Sequence, residues 1–136
     1  MMETGKTILI VDDDQDFRTI WKHKLVSEGF NVLEAENGEE AIKIIQEQKP
    51  DLILLDVLMP KMNGMEAFLK IKDKIGLENT KIIFVTSLDE TSEDFEISKE
   101  YHKKLSKEIG AYEYLSKSTD LDKLVDKVKE ALGLNQ

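Results

Sequence analysis

Three short runs of the chain are apolar at nearly every position, and they limit its possible folds more than any other feature. The runs are TILIV at 7–11, LILL at 52–55 and KIIFV at 81–85. A strand with one buried face alternates apolar and polar residues, whereas a strand covered on both faces is apolar along its whole length. We therefore expect parallel strands inside a sheet that carries helices on both faces.

Five strands and five helical segments alternate along the sequence. Gly29 is expected to end the first helical segment, and Asn37 with Glu40 forms a capping box that opens the second. Strict alternation predicts an α/β fold, a doubly wound parallel sheet of five βα units. The predicted strands are Thr7–Val11, Asn31–Ala35, Asp51–Leu55, Lys81–Val85 and Ala111–Leu115.

Length and composition exclude several classes of protein. A chain of 136 residues suits one domain, 1–136 with its core at about 6–134, and we expect no separate output domain within it. A net charge of −9 disfavours non-specific nucleic-acid binding. No apolar run is long enough for a membrane helix, and the absence of cysteine fits a reducing cytoplasm.

Two aromatic and two histidine residues attract attention but have ordinary explanations. Phe17 and Trp21 lie at helical spacing and are interpreted as core packing or as partly buried residues, not as a cofactor site. His23 and His102 have no histidine or cysteine nearby at metal-ligand spacing, so we interpret both as surface residues.

Chemically reactive side chains occur where four of the five predicted strands end. The carboxyl ends of parallel strands lie at one edge of a sheet, where α/β proteins form their sites. We therefore expect these residues to converge. They are Asp12, Asp13 and Asp14 after the first strand, Asp56 after the third, Thr86 and Ser87 after the fourth, and Lys117 after the fifth.

Carboxylates that converge in this way need nearby positive charge. Two like charges about 4 Å apart repel by about 4 kcal/mol at an effective dielectric constant of about 20. Mg²⁺ binds carboxylate and carbonyl oxygens, keeps several waters and shares itself with phosphate. Together with the ammonium of Lys117, it would neutralise Asp12, Asp13 and Asp56. Such a pocket can accept a phosphoryl group, to which Thr86 would donate its hydroxyl.

Taken singly, each feature also has a structural explanation. An aspartate triplet is commonly a solvated turn, and Asp14 is expected to cap the helix that begins near Gln15. A single threonine or lysine at a strand end is commonly without a special role. The joint occurrence at four strand ends favours a functional site.

The segments VDDDQDFR, LLDVLMPKMNG, FVTS and GAYEYLSK, in this order, resemble the receiver domains of two-component response regulators. The similarity covers roughly Lys6 to Leu134. It implies the flavodoxin-like receiver fold with strand order 2-1-3-4-5. It also implies a phosphoryl transfer from the phosphohistidine of a sensor histidine kinase or histidine phosphotransfer protein.

The resemblance implies a role for each matching residue. Asp56 would accept the phosphoryl group. Asp13 would bind Mg²⁺ directly and Asp12 mainly through water, while Leu58 would offer its backbone carbonyl to the metal. Lys117 would pair with the phosphoryl group.

The same resemblance implies a conformational switch. Thr86 would move toward the phosphoryl group, and Tyr114 would turn inward to fill the space left behind. Tyr114 has an alternative explanation as an ordinary core residue. The signal would appear on the face built by the fourth helix, the fifth strand and the fifth helix, where a downstream protein would bind.

The sequence departs from the family pattern after the lysine, where proline with a cis bond is usual. Here the residue is Ser118. A cis bond costs about 2.5–4 kcal/mol before a non-proline residue but only about 0.5–1 kcal/mol before proline. We therefore expect a rearranged loop with no cis bond.

A second departure is the long segment between strands four and five, since Lys117 follows Thr86 by 31 positions. Residues 89–94 are acidic and predicted to form a mobile loop. The helix that follows would be either a neutral surface insertion or an altered partner surface. Its apolar residues, at steps of four, are Ile97, Tyr101, Leu105 and Ile109.

A third departure concerns loss of the phosphoryl group. The two positions that tune this loss in the family are Leu58 and Leu88 here, and neither side chain can orient an attacking water. We expect slow self-dephosphorylation, and no enzyme activity beyond it.

Two other functions stay open at this point. One is an interaction module that never takes phosphate. The other is an Mg²⁺-dependent aspartyl phosphatase, which would require a general acid where the chain has Leu58.

Overall fold

The computed structural model describes residues 3–57, 66, 69, 70, 73, 80–89, 91–106 and 111–134. Side chains at 102, 103, 105, 106, 111 and 112 fall outside this description, as do Leu58 and Ile109 among the residues singled out in the sequence. None of the helices within the described ranges combines the length and the apolar character needed to span a bilayer.

The five strands form one parallel sheet. They are β1 (Thr7–Val11), β2 (Asn31–Ala35), β3 (Leu52–Asp56), β4 (Lys81–Thr86) and β5 (Ala111–Ser116). Their order across the sheet is β2-β1-β3-β4-β5, and every neighbouring pair is parallel. This confirms the predicted doubly wound α/β fold with strand order 2-1-3-4-5.

Helices occupy the connections between the strands. They are α1 (Gln15–Ser27), α2 (Gly38–Gln48), α4 (Glu93–Ser106) and α5 (Leu121–Ala131). Residues 66, 69, 70 and 73 are also helical and mark α3, between β3 and β4.

The core lies in two layers, one on each face of the sheet. On one face, Trp21 and Leu25 of α1 and Leu124 of α5 pack against Ile10 and Leu54. On the other, α2 and Phe95 of α4 pack against alternate strand residues such as Leu9 and Leu55. The apolar runs are therefore buried on both sides, which is why they contain no alternating polar residue.

Local sequence explains where the first two helices begin and where α1 ends. The carboxylate of Asp14 accepts hydrogen bonds from the amides of Asp16 and Phe17, at 3.0 and 3.3 Å, as the predicted cap of α1. Asn37 accepts from the amide of Glu40 at 2.9 Å and caps α2. Beyond α1, Gly29 adopts φ = 93°, a left-handed conformation that costs glycine little.

Four strand boundaries differ from the prediction by one residue: both ends of β3, which runs from Leu52 to Asp56, and the last residues of β4 and β5. β3 begins at Leu52, and Asp51 just before it accepts from the amide of Thr7 through its carboxylate at 2.8 Å. β4 and β5 extend to Thr86 and Ser116, since the ladder between them continues to that point.

The prediction of a mobile loop over residues 89–94 was wrong in its second half, where α4 begins at Glu93. The hydroxyl of Ser92 accepts from the amide of Phe95 at 3.1 Å, as a helix cap does. Asp89 binds both the amide and the hydroxyl of Thr91, at 2.8 and 2.7 Å, and so closes the preceding turn. Ser92 thus caps α4, and the acidic residues Glu93 and Asp94 lie in its first turn.

Candidate phosphoacceptor site

The predicted site residues meet at the carboxyl edge of the sheet because backbone pairing continues past the strand ends. The amide of Asp12 donates to Ala35 at 3.0 Å. The amide that follows Asp56, that of Val57, donates to Val85 at 2.9 Å. Lys117 donates its amide to the carbonyl of Thr86 at 2.7 Å. These hydrogen bonds fix the backbone that carries Asp12, Asp56 and Lys117 at the carboxyl edge of the sheet.

Three carboxylates form a compact cluster at this edge. Asp12, Asp13 and Asp56 each offer one oxygen, and these oxygens all lie within 4.8 Å of one another. Asp12 and Asp56 are buried, with 1% and 2% exposure, whereas Asp13 is exposed. An all-oxygen set that is open to water on one side fits Mg²⁺, which keeps several waters when it binds proteins. The proposed carbonyl ligand, Leu58, lies outside the described residues.

The ammonium of Lys117 lies inside this cluster. Its Nζ atom is 2.7 Å from Oδ2 of Asp12 and 3.4 Å from Oδ2 of Asp56. The side chain of Lys117 is 19% exposed, and its Nζ also lies 4.6 Å from the ring centroid of Phe17. A cation over an aromatic face is held there by the ring quadrupole.

The charges of the cluster alter its ionisation. Burial, together with the negative charge of Asp56, raises the pKa of Asp12 to about 6, although Lys117 and the amide of Asp14 oppose the shift. Burial alone would lower the pKa of Lys117, but contacts with Asp12 and Asp56 outweigh it and raise that pKa. The charged form of Lys117 is therefore favoured, and its one positive charge does not balance three carboxylates when all are ionised.

The two proposed switch residues are both buried. Thr86 is fully buried, and its Oγ1 accepts from the amide of Leu88 at 3.2 Å. Tyr114 is 7% exposed, with its ring 5.4 Å from that of Phe95 and its hydroxyl 2.5 Å from Oγ of Ser98. In this conformation Tyr114 is part of the core, and its predicted role as a switch stays a prediction.

The sequence interpretation missed several residues that support the site. Arg18 of α1 donates to the carbonyl of Asp12 at 2.6 Å and pairs with Glu34 at 3.2 Å, so it fixes the backbone beside the carboxylate cluster. Phe17 is partly buried against the core, within what was predicted, but its contact with Lys117 was not predicted. Its ring packs at a tilt against that of the buried Trp21, with 4.2 Å between ring centroids. The contact with Lys117 joins segments far apart in the chain, whereas Trp21 lies on the same helix as Phe17.

The peptide bond between Lys117 and Ser118 is trans, as expected for a non-proline residue. Of the two histidines, His23 is exposed, as predicted, and the side chain of His102 lies outside the described residues.

A family model for the response regulator receiver domain matches residues 8–129. The chain is 35% identical over 130 residues to sporulation initiation phosphotransferase F of Bacillus subtilis, covering 96% of each protein. It is 37% identical over 128 residues to the phosphate regulon regulatory protein PhoB of Pseudomonas aeruginosa, covering 94% of this chain and 52% of PhoB.

Solved structures agree with these sequence relationships. A CheY-like response regulator receiver domain from Methanospirillum hungatei superposes with a TM-score of 0.77 at 30% identity, covering 94% of each chain. The Vibrio cholerae chemotaxis protein CheY4 superposes with a TM-score of 0.78 at 28% identity, covering 93% of this chain and 98% of CheY4.

The chain spans 42% of the Bacillus subtilis PhoP regulator, to which it is 35% identical. The family assignment therefore rests on the matching segment alone and does not extend to the rest of that regulator. On its sequence, its strand order and its match to the family model, this chain belongs to the receiver domains of two-component response regulators.

Proposed function

We propose that the chain accepts a phosphoryl group on Asp56 from a phosphohistidine in a sensor histidine kinase or histidine phosphotransfer protein, with Mg²⁺ as cofactor. The observation that supports this proposal is the position of the Lys117 ammonium, whose Nζ lies 3.4 Å from Oδ2 of Asp56. Asp56 belongs to the cluster with Asp12 and Asp13, in which one oxygen of each carboxylate lies within 4.8 Å of the others. Lys117 neutralises only one of the three carboxylates, so the cluster attracts one further cation. With the positive charge of that cation added, the site favours binding of a phosphoryl group.

The chemistry is a single displacement at phosphorus. One oxygen of Asp56 forms the new P–O bond while the P–N bond of the phosphohistidine breaks, and the imidazole nitrogen keeps the electron pair. Mg²⁺, when bound, would neutralise the phosphoryl oxygens and orient them for attack. Asp12 and Asp13 would hold the ion, and Lys117 would pair with a phosphoryl oxygen.

The partners are proposed from the relatives. One relative is named a phosphotransferase, and a protein named histidine kinase P4 contains a matching segment, 36% identical over 126 residues. Both names fit a place in a phosphoryl relay. No direct contact with nucleic acid and no membrane insertion form part of the proposal.

We propose that the output surface is the face of α4, β5 and α5. Ile97 and Tyr101 of α4 are each 60% exposed, unusually so for large apolar side chains one turn apart. Their exposure favours a downstream protein partner there.

One incubation distinguishes the three candidate functions. Wild type and Asp56→Ala are mixed with acetyl phosphate and Mg²⁺, and the intact mass is measured over time. Addition of one phosphoryl group to wild type alone supports the receiver function. Release of many equivalents of inorganic phosphate, assayed in the same incubation, would instead indicate a phosphatase. No mass increase in either protein would indicate an interaction module.

A further inference from the structure

The loop that follows β5 uses Ser118 in a way that proline could not. The amide of Ser118 donates to Oγ of Ser116 at 3.1 Å, and the two hydroxyl oxygens lie 2.8 Å apart. Proline has no N–H, so it would remove the first of these hydrogen bonds. Ser118 therefore belongs to a local structure that the family's proline loop does not need.

The proton positions follow from the chemistry of the groups. Oγ of Ser116 lies 2.5 Å from the carbonyl of Leu88, which can only accept, so Ser116 gives Leu88 its single proton. Oγ of Ser116 must then accept from both the hydroxyl and the amide of Ser118. Because Ser116 is completely buried, every hydrogen-bonding capacity of its hydroxyl is used away from water.

The two hydroxyls of Ser116 and Ser118, together called the hydroxyl cluster, connect the loop after β5 with the loop after β4. Ser116 and Ser118 stand on either side of Lys117, while Leu88 follows Thr86 by two residues. Two backbone bonds complete the connection, from the amide of Lys117 to Thr86 at 2.7 Å and from the amide of Leu88 to Oγ1 of Thr86 at 3.2 Å. Hydrogen bonds of Lys117 itself and of its two neighbours, Ser116 and Ser118, therefore hold the backbone of Lys117 in place. The peptide bond between Lys117 and Ser118 is trans.

We propose that Ser116 and Ser118 are positioning residues that hold Lys117 over Asp56, and that the amide of Ser118 is the essential group. This rests on the proposed function. A misplacement of about 1 Å in a catalytic side chain can cost on the order of 100-fold in rate, so a loop that fixes a flexible lysine has a kinetic role. Restoring the family's proline at this position should therefore damage the site.

A substitution series at the exposed position 118 isolates the amide. Ser118→Thr keeps the hydroxyl and the amide, Ser118→Ala keeps the amide alone, and Ser118→Pro removes both. The expected rates of phosphorylation by acetyl phosphate are unchanged for threonine, within about threefold of wild type for alanine, and at least about tenfold lower for proline. Ser116→Ala removes the acceptor and should slow the reaction as proline does.

The double variant Ser116→Ala/Ser118→Pro tests whether the two residues act as one unit. With no acceptor at 116, proline at 118 has no hydrogen bond left to break. The double variant should therefore be less than about threefold slower than Ser116→Ala. Full multiplication of the two effects would contradict a shared role.

Two further readouts separate positioning from general loss of structure. Mg²⁺ affinity, measured from amide shifts in NMR, should not fall in Ser118→Pro because Asp12 and Asp13 directly follow β1 and Asp56 ends β3, away from the loop after β5. The side-chain protons of Lys117 should show an upfield ring-current shift from Phe17, whose ring centroid is 4.6 Å from Nζ. This shift should persist in Ser118→Ala and disappear in Ser118→Pro.

The outcomes are distinct. Phosphorylation of Ser118→Pro at the wild-type rate, or an intact ring-current shift in it, would overturn this inference. A joint loss of Mg²⁺ affinity and rate would overturn it too, since that indicates a structural role. If wild type takes no phosphoryl group but the ring-current series behaves as expected, the proposed function fails while the positioning of Lys117 stands.

Discussion

The Nζ atom of Lys117 lies closer to Asp12, at 2.7 Å, than to Asp56, at 3.4 Å. Before any phosphoryl group arrives, the lysine thus neutralises a carboxylate that is also a proposed metal ligand. Lys117 and Mg²⁺ must share Asp12, and a phosphoryl group on Asp56 would draw the ammonium away from it. Several measurable consequences follow from this competition.

Lys117→Met should strengthen Mg²⁺ binding while slowing phosphorylation. Loss of the ammonium removes a competing positive charge from Asp12, so we expect several-fold higher affinity in an NMR titration. The phosphoryl group loses its cationic partner, so the rate with acetyl phosphate should fall by at least about tenfold. Lys123→Met, on α5, is the matched control. Weaker Mg²⁺ binding in Lys117→Met would contradict the competition.

The stability of the metal-free protein should fall as pH rises through the titration of Asp12. Its pKa of about 6 exceeds the ordinary value of 3.8, so between these values the folded state binds more protons than the unfolded state. The free energy of unfolding then decreases with rising pH over that window. Urea unfolding in EDTA at several pH values measures the slope attributable to this group.

Asp12→Asn tests whether Asp12 is the group that causes the fall in the free energy of unfolding with rising pH. An amide cannot ionise, so the variant should lack the fall attributable to Asp12 between about pH 4 and 6. At pH 7 it should be more stable than wild type by about 1–2 kcal/mol, less than the full value of the shift because the ion pair with Lys117 is lost. A variant with the same pH slope as wild type would show that Asp12 is not the titrating group.

Mg²⁺ should reverse this pH dependence. The ion needs ionised carboxylates, so its affinity should fall as pH drops below about 6, where Asp12 takes up a proton. The rise in melting temperature at saturating Mg²⁺ measures the effect, and we expect a larger rise at pH 8 than at pH 5. An equal rise at both values would argue against Asp12 as part of the metal site.

The phosphorylated protein should lose its phosphoryl group slowly by itself. Leu88 is half-buried and packs against the core layer beneath α2 and α4, so it cannot orient a water molecule. The second tuning position, Leu58, is also apolar. Decay of the intact phosphoprotein mass should become several-fold faster in Leu58→Asn. Rapid decay in wild type, unaffected by Leu58→Asn, would contradict this account.

Much of this structure could be predicted from local sequence. β1 and β2 have the predicted ends, and the caps Asp14 and Asn37 act as predicted, because each depends on neighbouring residues. The convergence of Asp12 and Asp56 followed from parallel topology alone. Contacts that depend on side-chain paths across loops could not be predicted in this way.

Two examples show what sequence could not supply. Asp51 reads as the start of a strand, yet its carboxylate binds the amide of Thr7, 44 residues earlier. Ser116 continues β5, but nothing in the local sequence indicates that its hydroxyl donates to the carbonyl of Leu88, 28 residues away, across the loop after β4. The sequence showed that Ser118 departs from the family pattern, but it did not predict the hydrogen bond from the amide of Ser118 to Oγ of Ser116.

The central claim is that Asp56 is the phosphoacceptor, and chemical trapping tests it most directly. Borohydride reduces an acyl phosphate to an alcohol, which converts a phosphorylated aspartate into homoserine. After incubation with acetyl phosphate, peptide mass spectrometry should find homoserine at position 56 only, with Mg²⁺ present and not with EDTA. Homoserine at another carboxylate, or labelling that does not require Mg²⁺, would contradict the account.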